Sequence, residues 1–257
     1  GFLILSLPFS YYSTFVIEEK FGFNQSTKSL FIVDAVKSLL LSTLIGAPLL
    51  MAILWFFERV EAGWLFAWIF LTIFQCLMMI IFPAFIMPLF NKFKEISSLS
   101  LKKAFFDYAE SQSFSLASIF EMDSSKRSNK SNAFFVGFGK AKRLVLYDRL
   151  IEQLGIDELI GVFAHEVGHY KHYHIFKMML FSVLTSGVMF YLLSLFLKFP
   201  IFVLAAGFST VSVYMALFLF GILYMPFDRL LSFFSCYFSR KFEYEADYFA
   251  VKTTGNV

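Results

Sequence analysis

Residues 62–90 read AGWLFAWIFLTIFQCLMMIIFPAFIMPLF, without one charged side chain. A helix needs ~20 predominantly apolar residues to cross a hydrocarbon core. Three more charge-free runs reach that length: Ser38–Phe57, Met178–Leu197 and Phe199–Phe227. A fifth, Gly1–Ile17, is slightly short and reads as the tail of a helix whose start is not in this chain. It has neither the basic n-region nor the small-residue cleavage site of a signal peptide. Leu230–Ser239 is too short to span alone and reads as the end of a longer helix beginning near Pro226.

The composition of the 257 residues agrees: 58% are apolar, 21% aromatic and 16% charged, with 38 phenylalanines. Mean hydropathy is +0.69. Globular domains average nearer ~45–50% apolar and ~25% charged. A disordered chain, a basic nucleic-acid binder and an ordinary soluble enzyme are thereby excluded. A net charge of +3 is too small to suggest a polyanionic partner. Cys76 and Cys236 sit far apart inside apolar stretches, so neither a disulfide framework nor a cysteine zinc site is indicated.

The polar segments are unequal. Residues 18–37 hold three Lys/Arg, 58–61 one, 91–177 thirteen, position 198 one, and 228–257 four. Alternating spans place twenty of these on one side and two on the other, and the positive-inside rule assigns the rich side to the cytoplasm. The expected organisation has transmembrane helices over 1–90, the first partial, with a cytoplasmic loop at 18–37. A cytoplasmic region follows over 91–177, then two transmembrane helices over 178–227 and a final helix over 228–257. Within 91–177, Lys92–Ser113 reads as an amphipathic helix carrying Leu99, Leu101, Phe105, Phe106 and Ala109. Two β-like runs, Ala133–Phe138 and Arg143–Tyr147, are joined through Gly139–Lys142 as a hairpin. Asp157 is placed to cap a helix from Glu158 that carries the histidines and can run on into the span from Met178.

All four histidines, His165, His169, His172 and His174, lie within ten residues. His165-Glu166-Val167-Gly168-His169 puts two imidazoles at i and i+4 on one helix face, where they can meet one zinc ion. Glu166 then sits beside the metal as general base, and zinc both acidifies a water and polarises a peptide carbonyl. A catalytic zinc needs a third protein ligand, and no histidine remains outside the cluster. Glu243 and Asp247, four apart in Glu243-Tyr244-Glu245-Ala246-Asp247, can share a face. Glu243 can then bind zinc while Asp247 accepts a hydrogen bond from a ligating imidazole. Glu245 reads as a solvated charge and is the alternative ligand; His172 reads as an interfacial residue.

Several segments together resemble the type I CAAX prenyl endopeptidases, integral-membrane zinc metalloproteases. They are LPFS at 7–10 with STFVIEEKFGFN at 13–24, PLFNKF at 88–93, SKRS at 125–128 with SNAFF at 131–135, HEVGH at 165–169 and EYEAD at 243–247. The resemblance implies an α-helical polytopic membrane protein with a cytoplasmic α+β, gluzincin-like protease insertion. It implies seven membrane helices around a large chamber, with one zinc at the cytoplasmic end. This chain then starts inside the third helix and stops soon after Asp247, before the family's polar tail, so that it is incomplete at both ends. The implied roles are zinc ligation by His165, His169 and Glu243, general-base action by Glu166, and a second catalytic acid at Asp247. Asn132 matches a family asparagine beside the substrate strand, and equally suits a turn before a strand. His174 matches a further family histidine that can face the transition state or a headgroup.

The expected activity is zinc-dependent hydrolysis of peptide bonds in membrane-associated or CAAX-type prenylated proteins on the cytoplasmic side. The expected partners are a peptide or protein substrate that can be lipidated, and membrane lipids; no nucleic acid is expected. An exposed edge of Ala133–Phe138 can take the peptide by β-augmentation. The motif AHEVGHY at 164–170 and the phenylalanine content favour a bacterial inner-membrane member over one of the endoplasmic reticulum. The alternatives are a heat-shock-type membrane metalloprotease and a non-catalytic membrane protein with a vestigial metal site.

Overall fold

The computed structural model describes residues 2–137, 139, 142–199, 201–205, 207 and 212–255. Among them, four helices are long and apolar enough to cross a membrane: Lys28–Arg59, Gly63–Phe90, His174–Lys198 and Val213–Thr254. The chain forms two compact units. One comprises residues 1–41, 79–172 and 245–257, the other 42–78 and 173–244.

The first unit opens with helix α1 (Phe2–Tyr12), which widens into a π-type turn over Ser13–Glu18. Helix α2 (Lys28–Arg59) begins ten residues earlier than the 18–37 loop expectation allows. Charge marks the membrane boundary without ending a helix. Asp34 and Lys37 are accommodated on α2 because Arg127 pairs with Asp34 at 2.7 Å and the Lys37 ammonium donates to the Leu89 carbonyl at 2.9 Å. Helix α3 (Gly63–Ile81) passes through a second π-type turn, Phe82–Ile86, into the short α4 (Met87–Phe90).

A four-stranded sheet follows, in the order β1 (Phe93–Glu95), β2 (Ser118–Met122), β4 (Arg143–Tyr147), β3 (Ala133–Val136). The hairpin expectation holds for β3 and β4, which pair antiparallel with Ala133 opposite Leu146 and Val136 opposite Arg143. Phe138, Lys140 and Ala141 of that expectation lie outside the described residues. The sequence reading missed β1 and β2. Residues 93–95, assigned to the amphipathic helix, form a strand antiparallel to β2, which itself pairs parallel with β4.

The helix instead starts one residue past Ser98, whose side chain accepts from the Leu101 amide at 3.3 Å. It runs as α5 (Leu99–Ser111), with Leu101, Phe105 and Ala109 at i, i+4 and i+8 buried and Leu99 left exposed. After α6 (Asp148–Gln153), helix α7 (Ile156–Lys171) starts from Gly155, whose amide donates to the Glu158 carboxylate at 2.7 Å. Asp157 is therefore inside the first turn rather than capping it, where its charge still suits the helix dipole. Leu159, Phe163 and Val167, again four apart, bury one face of α7 against Leu144, Leu146 and Phe105.

The histidine helix does not run on into the next span. Tyr173 adopts left-handed backbone, φ 57°, and separates α7 from α8 (His174–Lys198). In the second unit, Ala67, Phe190 and Leu193 form a small core among apolar helix faces. The Trp68 indole N–H donates to the Val183 carbonyl at 2.9 Å there. Gly63 is required by the tight turn into α3, since a Cβ would fall 2.1 Å from the Phe56 carbonyl oxygen.

The run expected to span as Phe199–Phe227 is interrupted. A short α9 (Ile201–Ala205) precedes Gly207 at φ 87°, and the long helix α10 begins at Val213. It continues unbroken to Thr254, so 228–257 is no separate helix. Asp228 and Arg229 leave its backbone ladder intact, and Pro226 is carried inside it.

Candidate active site

Helix α7 presents His165, Glu166 and His169 on a half-buried face, while Phe163, Ala164, Val167 and Gly168 face inward. The two imidazoles converge: their Nε2 atoms lie 3.0 Å apart and their ring centres 4.7 Å apart. His165 Nδ1 meets the Asp247 carboxylate at 2.8 Å, from the last turns of α10. A carboxylate only accepts, so Nδ1 carries the hydrogen and leaves Nε2 as the nitrogen that faces His169.

The approach of these two helix segments depends on Gly168. A Cβ there would lie 3.0 Å from Ala246 Cα, 3.1 Å from its carbonyl oxygen and 3.2 Å from Phe249 Cβ. Glycine on one helix against alanine on the other lets the backbones come close enough for Asp247 to reach His165. Sequence reading treated Gly168 as an unspecified position of the motif. Ala246, next to Asp247, is fully buried in this contact.

The donor set fits a zinc ion. Zn–N bonds of ~2.0–2.1 Å in a tetrahedral site place two nitrogens ~3.3 Å apart, close to the observed separation of the two Nε2 atoms. The carboxylate behind one imidazole is the usual orienting partner of a metal-bound histidine.

Glu243 lies one turn before Asp247 on α10 and is exposed. Glu245 is half-buried, not a fully solvated charge, because it falls beside the inward-facing Ala246. His172 caps α7 with its ring 6.2 Å from Phe249. His174, first residue of α8, is 2% exposed and stacks on Phe242 at 4.3 Å. Asn132 stands at the entry to β3: its carbonyl accepts from Tyr147 and its side-chain oxygen from the Ala133 amide.

Two polar clamps hold the segment that leads to β3, and sequence spacing gave no sign of either pairing. Arg127 donates twice to Asp34, at 2.7 and 3.0 Å, and also to Asn91 Oδ1 and the Phe90 carbonyl. Asp148 accepts from both Ser124 and Ser125 hydroxyls and from the Ser125 and Arg149 amides. Burial pushes the Asp148 carboxyl up, but these hydrogen bonds outweigh it and hold it below the usual carboxylate range. Next to the zinc-type helix, the Lys142 ammonium lies 4.0 Å from the Phe114 ring centre and 3.8 Å from that of Tyr170.

Fold and site define a polytopic membrane protein with a histidine-glutamate metallopeptidase helix in a mixed α/β region. Residues 95–256 match the profile of peptidase family M48, and residues 1–92 match a CAAX prenyl protease N-terminal profile described as five membrane helices. The chain belongs to peptidase family M48.

It is 39% identical to CAAX prenyl protease 1 of Saccharomyces cerevisiae over 97% of this chain and 59% of that protein. It is 40% identical to the Dictyostelium discoideum homologue, over 97% of this chain and 60% of the other. The Homo sapiens homologue is 31% identical over 97% of this chain and 61% of its own length. The crystal structure of S. mikatae Ste24p superposes with a TM-score of 0.90 at 38% identity, covering 97% of this chain and 62% of that one. The chain thus spans about three fifths of the length of these relatives. All three of these named relatives are eukaryotic, which leaves the expected bacterial membrane without support.

Proposed function

We propose that this chain forms the catalytic part of a membrane-embedded zinc metalloendopeptidase that cleaves prenylated CAAX-type proteins. The observation that carries the reading is the convergence of His165 and His169 at 3.0 Å with Asp247 set behind His165 at 2.8 Å. His165, His169 and Glu243 would hold the metal. Glu243 is assigned because it lies four residues before Asp247 on one helix and so shares its face. Zinc supplies Lewis acidity for the attack on the scissile carbonyl. Glu166 takes the proton of the attacking water and delivers it to the leaving amine. Asp247 holds His165 in the tautomer that ligation needs.

β3 is an edge of the sheet, so an extended peptide can add to it through main-chain hydrogen bonds, with Asn132 at the start of that edge. The CAAX protease match over residues 1–92 favours this reading over a heat-shock-type protease. The site is assigned to the cytoplasmic face from the twenty-to-two distribution of basic residues, and the eukaryotic relatives favour the endoplasmic reticulum over a bacterial inner membrane.

The deciding experiment is Glu166→Gln. We expect cleavage of a prenylated CAAX peptide to fall ~10³-fold or more with zinc content unchanged, since loss of general-base action costs ~10²–10⁴. Full activity in that variant would remove Glu166 from the chemistry and the hydrolytic reading with it.

A further inference from the structure

The sheet has two faces with different surroundings. Leu144, Leu146, Ile119 and Ala133 point to the side where α5 and α7 pack. By the pleat, Val136, Val145, Arg143 and Phe120 point to the other. On that second side the sheet meets the end of the Gly63–Phe90 helix, and between them lies a cavity of about 380 Å³. Pro83, Ala84 and Pro88 form one wall and Phe93, Phe120 and Val145 the other. Val136 and Gly137, at the end of β3, complete it, and among the described residues Arg143 is the one charged lining residue.

We propose that this cavity binds the isoprenyl chain of the substrate. The proposal rests on the reading of the chain as a CAAX-type peptidase. A peptide added to the β3 edge must alternate its side chains between the two faces. Every second residue then projects to the α7 side and the others to the cavity side, where the end of β3 is itself part of the wall. A hydrocarbon chain on a residue of the second set enters the cavity while the main chain stays paired with β3.

The lining selects this occupant. Almost every wall residue is apolar, so a polar side chain would lose its hydration without gaining partners there. The volume falls in the ~300–1,000 Å³ range of small-molecule sites. Among the described wall residues, polar character is confined to the guanidinium of Arg143, 5.7 Å from the Phe120 ring centre.

The test is photolabelling of the full chain in nanodiscs with a CAAX peptide whose farnesyl group carries a diazirine. Adducts are expected within Met79–Pro88 or at Phe93 and Phe120, competed by unlabelled farnesylated peptide and not by the same peptide without its chain. Adducts confined to Met178–Met189, or labelling of the cavity by a diazirine phospholipid that farnesylated peptide does not displace, would overturn the proposal. In the Ala84→Trp variant, kcat/KM for the farnesylated peptide relative to the unmodified one should fall about ten-fold; an unchanged ratio speaks against the cavity. Photolabelling needs no turnover. A wild-type chain that labels at the cavity but cleaves neither peptide therefore contradicts the peptidase reading, while one that cleaves both equally contradicts the cavity alone.

Discussion

In the unit that carries the sheet, Phe105, Phe163, Leu144 and Leu146 are fully shielded, whereas in the other unit Leu44, Leu180, Phe218 and Phe233 leave 72, 48, 65 and 72% of their surface uncovered. The side chains are of the same kinds. In the first unit these four close on one another around α5, α7 and the strands, as in a water-soluble core, while Leu5, Phe9 and Phe85 of the same unit stay exposed. In the second, the helices share small clusters such as Ala67, Phe190 and Leu193 and turn the rest outward, as a lipid-facing surface requires. The apolar excess of the chain is therefore two populations: one builds the platform for the chemistry, the other meets the bilayer. Stability of the site should depend on the first and hardly at all on the second.

The largest effect should come from the platform. Phe163→Ala removes a fully buried ring from beneath the histidine helix and is expected to cost about 3–5 kcal/mol in thermal or denaturant unfolding in detergent. A loss under about 1 kcal/mol would show that the region is not packed as a soluble core. Next, Asp247→Asn replaces the acceptor at His165 Nδ1 and should weaken zinc binding ~10–100-fold in a chelator competition titration. Unchanged affinity would break the assigned role of Asp247.

Asp148 gives a smaller, pH-dependent effect. Its carboxyl is held below the ordinary 3.8, so its contribution is fully present above that value and fades as pH falls through the lower, folded one. Asp148→Asn should therefore lower stability by about 1 kcal/mol or less at neutral pH, for a half-buried acceptor shared by several donors and partly screened by solvent. The difference from wild type should shrink in strong acid, as followed by tryptophan fluorescence. At the small end, Leu44→Ala on the exposed helix face should shift the midpoint by no more than about 0.5 kcal/mol. A cost comparable with Phe163→Ala would end the distinction between the two populations.

The sequence showed most clearly what depends on local spacing. The apolar runs marked the long helices because length and absence of charge are properties of a segment. His165, Glu166 and His169 were legible because a helix repeats every ~3.6 residues. The helix ends were less so: neither the early start at Lys28 nor the break at Tyr173 is written in charge or hydropathy. Strands β1 and β2 were missed because β1 has only three residues and its pairing with β2 is tertiary. The bond from Arg127 to Asp34 joins residues 93 positions apart, and no periodicity links such pairs. The role of Gly168 needed the neighbour it approaches, Ala246.

Strand β3 has only four residues, and among the described residues its outer edge has no strand paired to it. In an antiparallel edge, alternate residues point their N–H and C=O outward, so a strand this short offers about two such residues. That is too little to template growth of a larger sheet, and brevity is one of the ways proteins keep an open edge from recruiting other chains. The same brevity limits the grip on any visitor to a few backbone bonds, which are made alike by every sequence except proline. An edge of this length therefore measures whether a segment is extended and unfolded rather than what it spells, and leaves discrimination to whatever the visiting side chains carry.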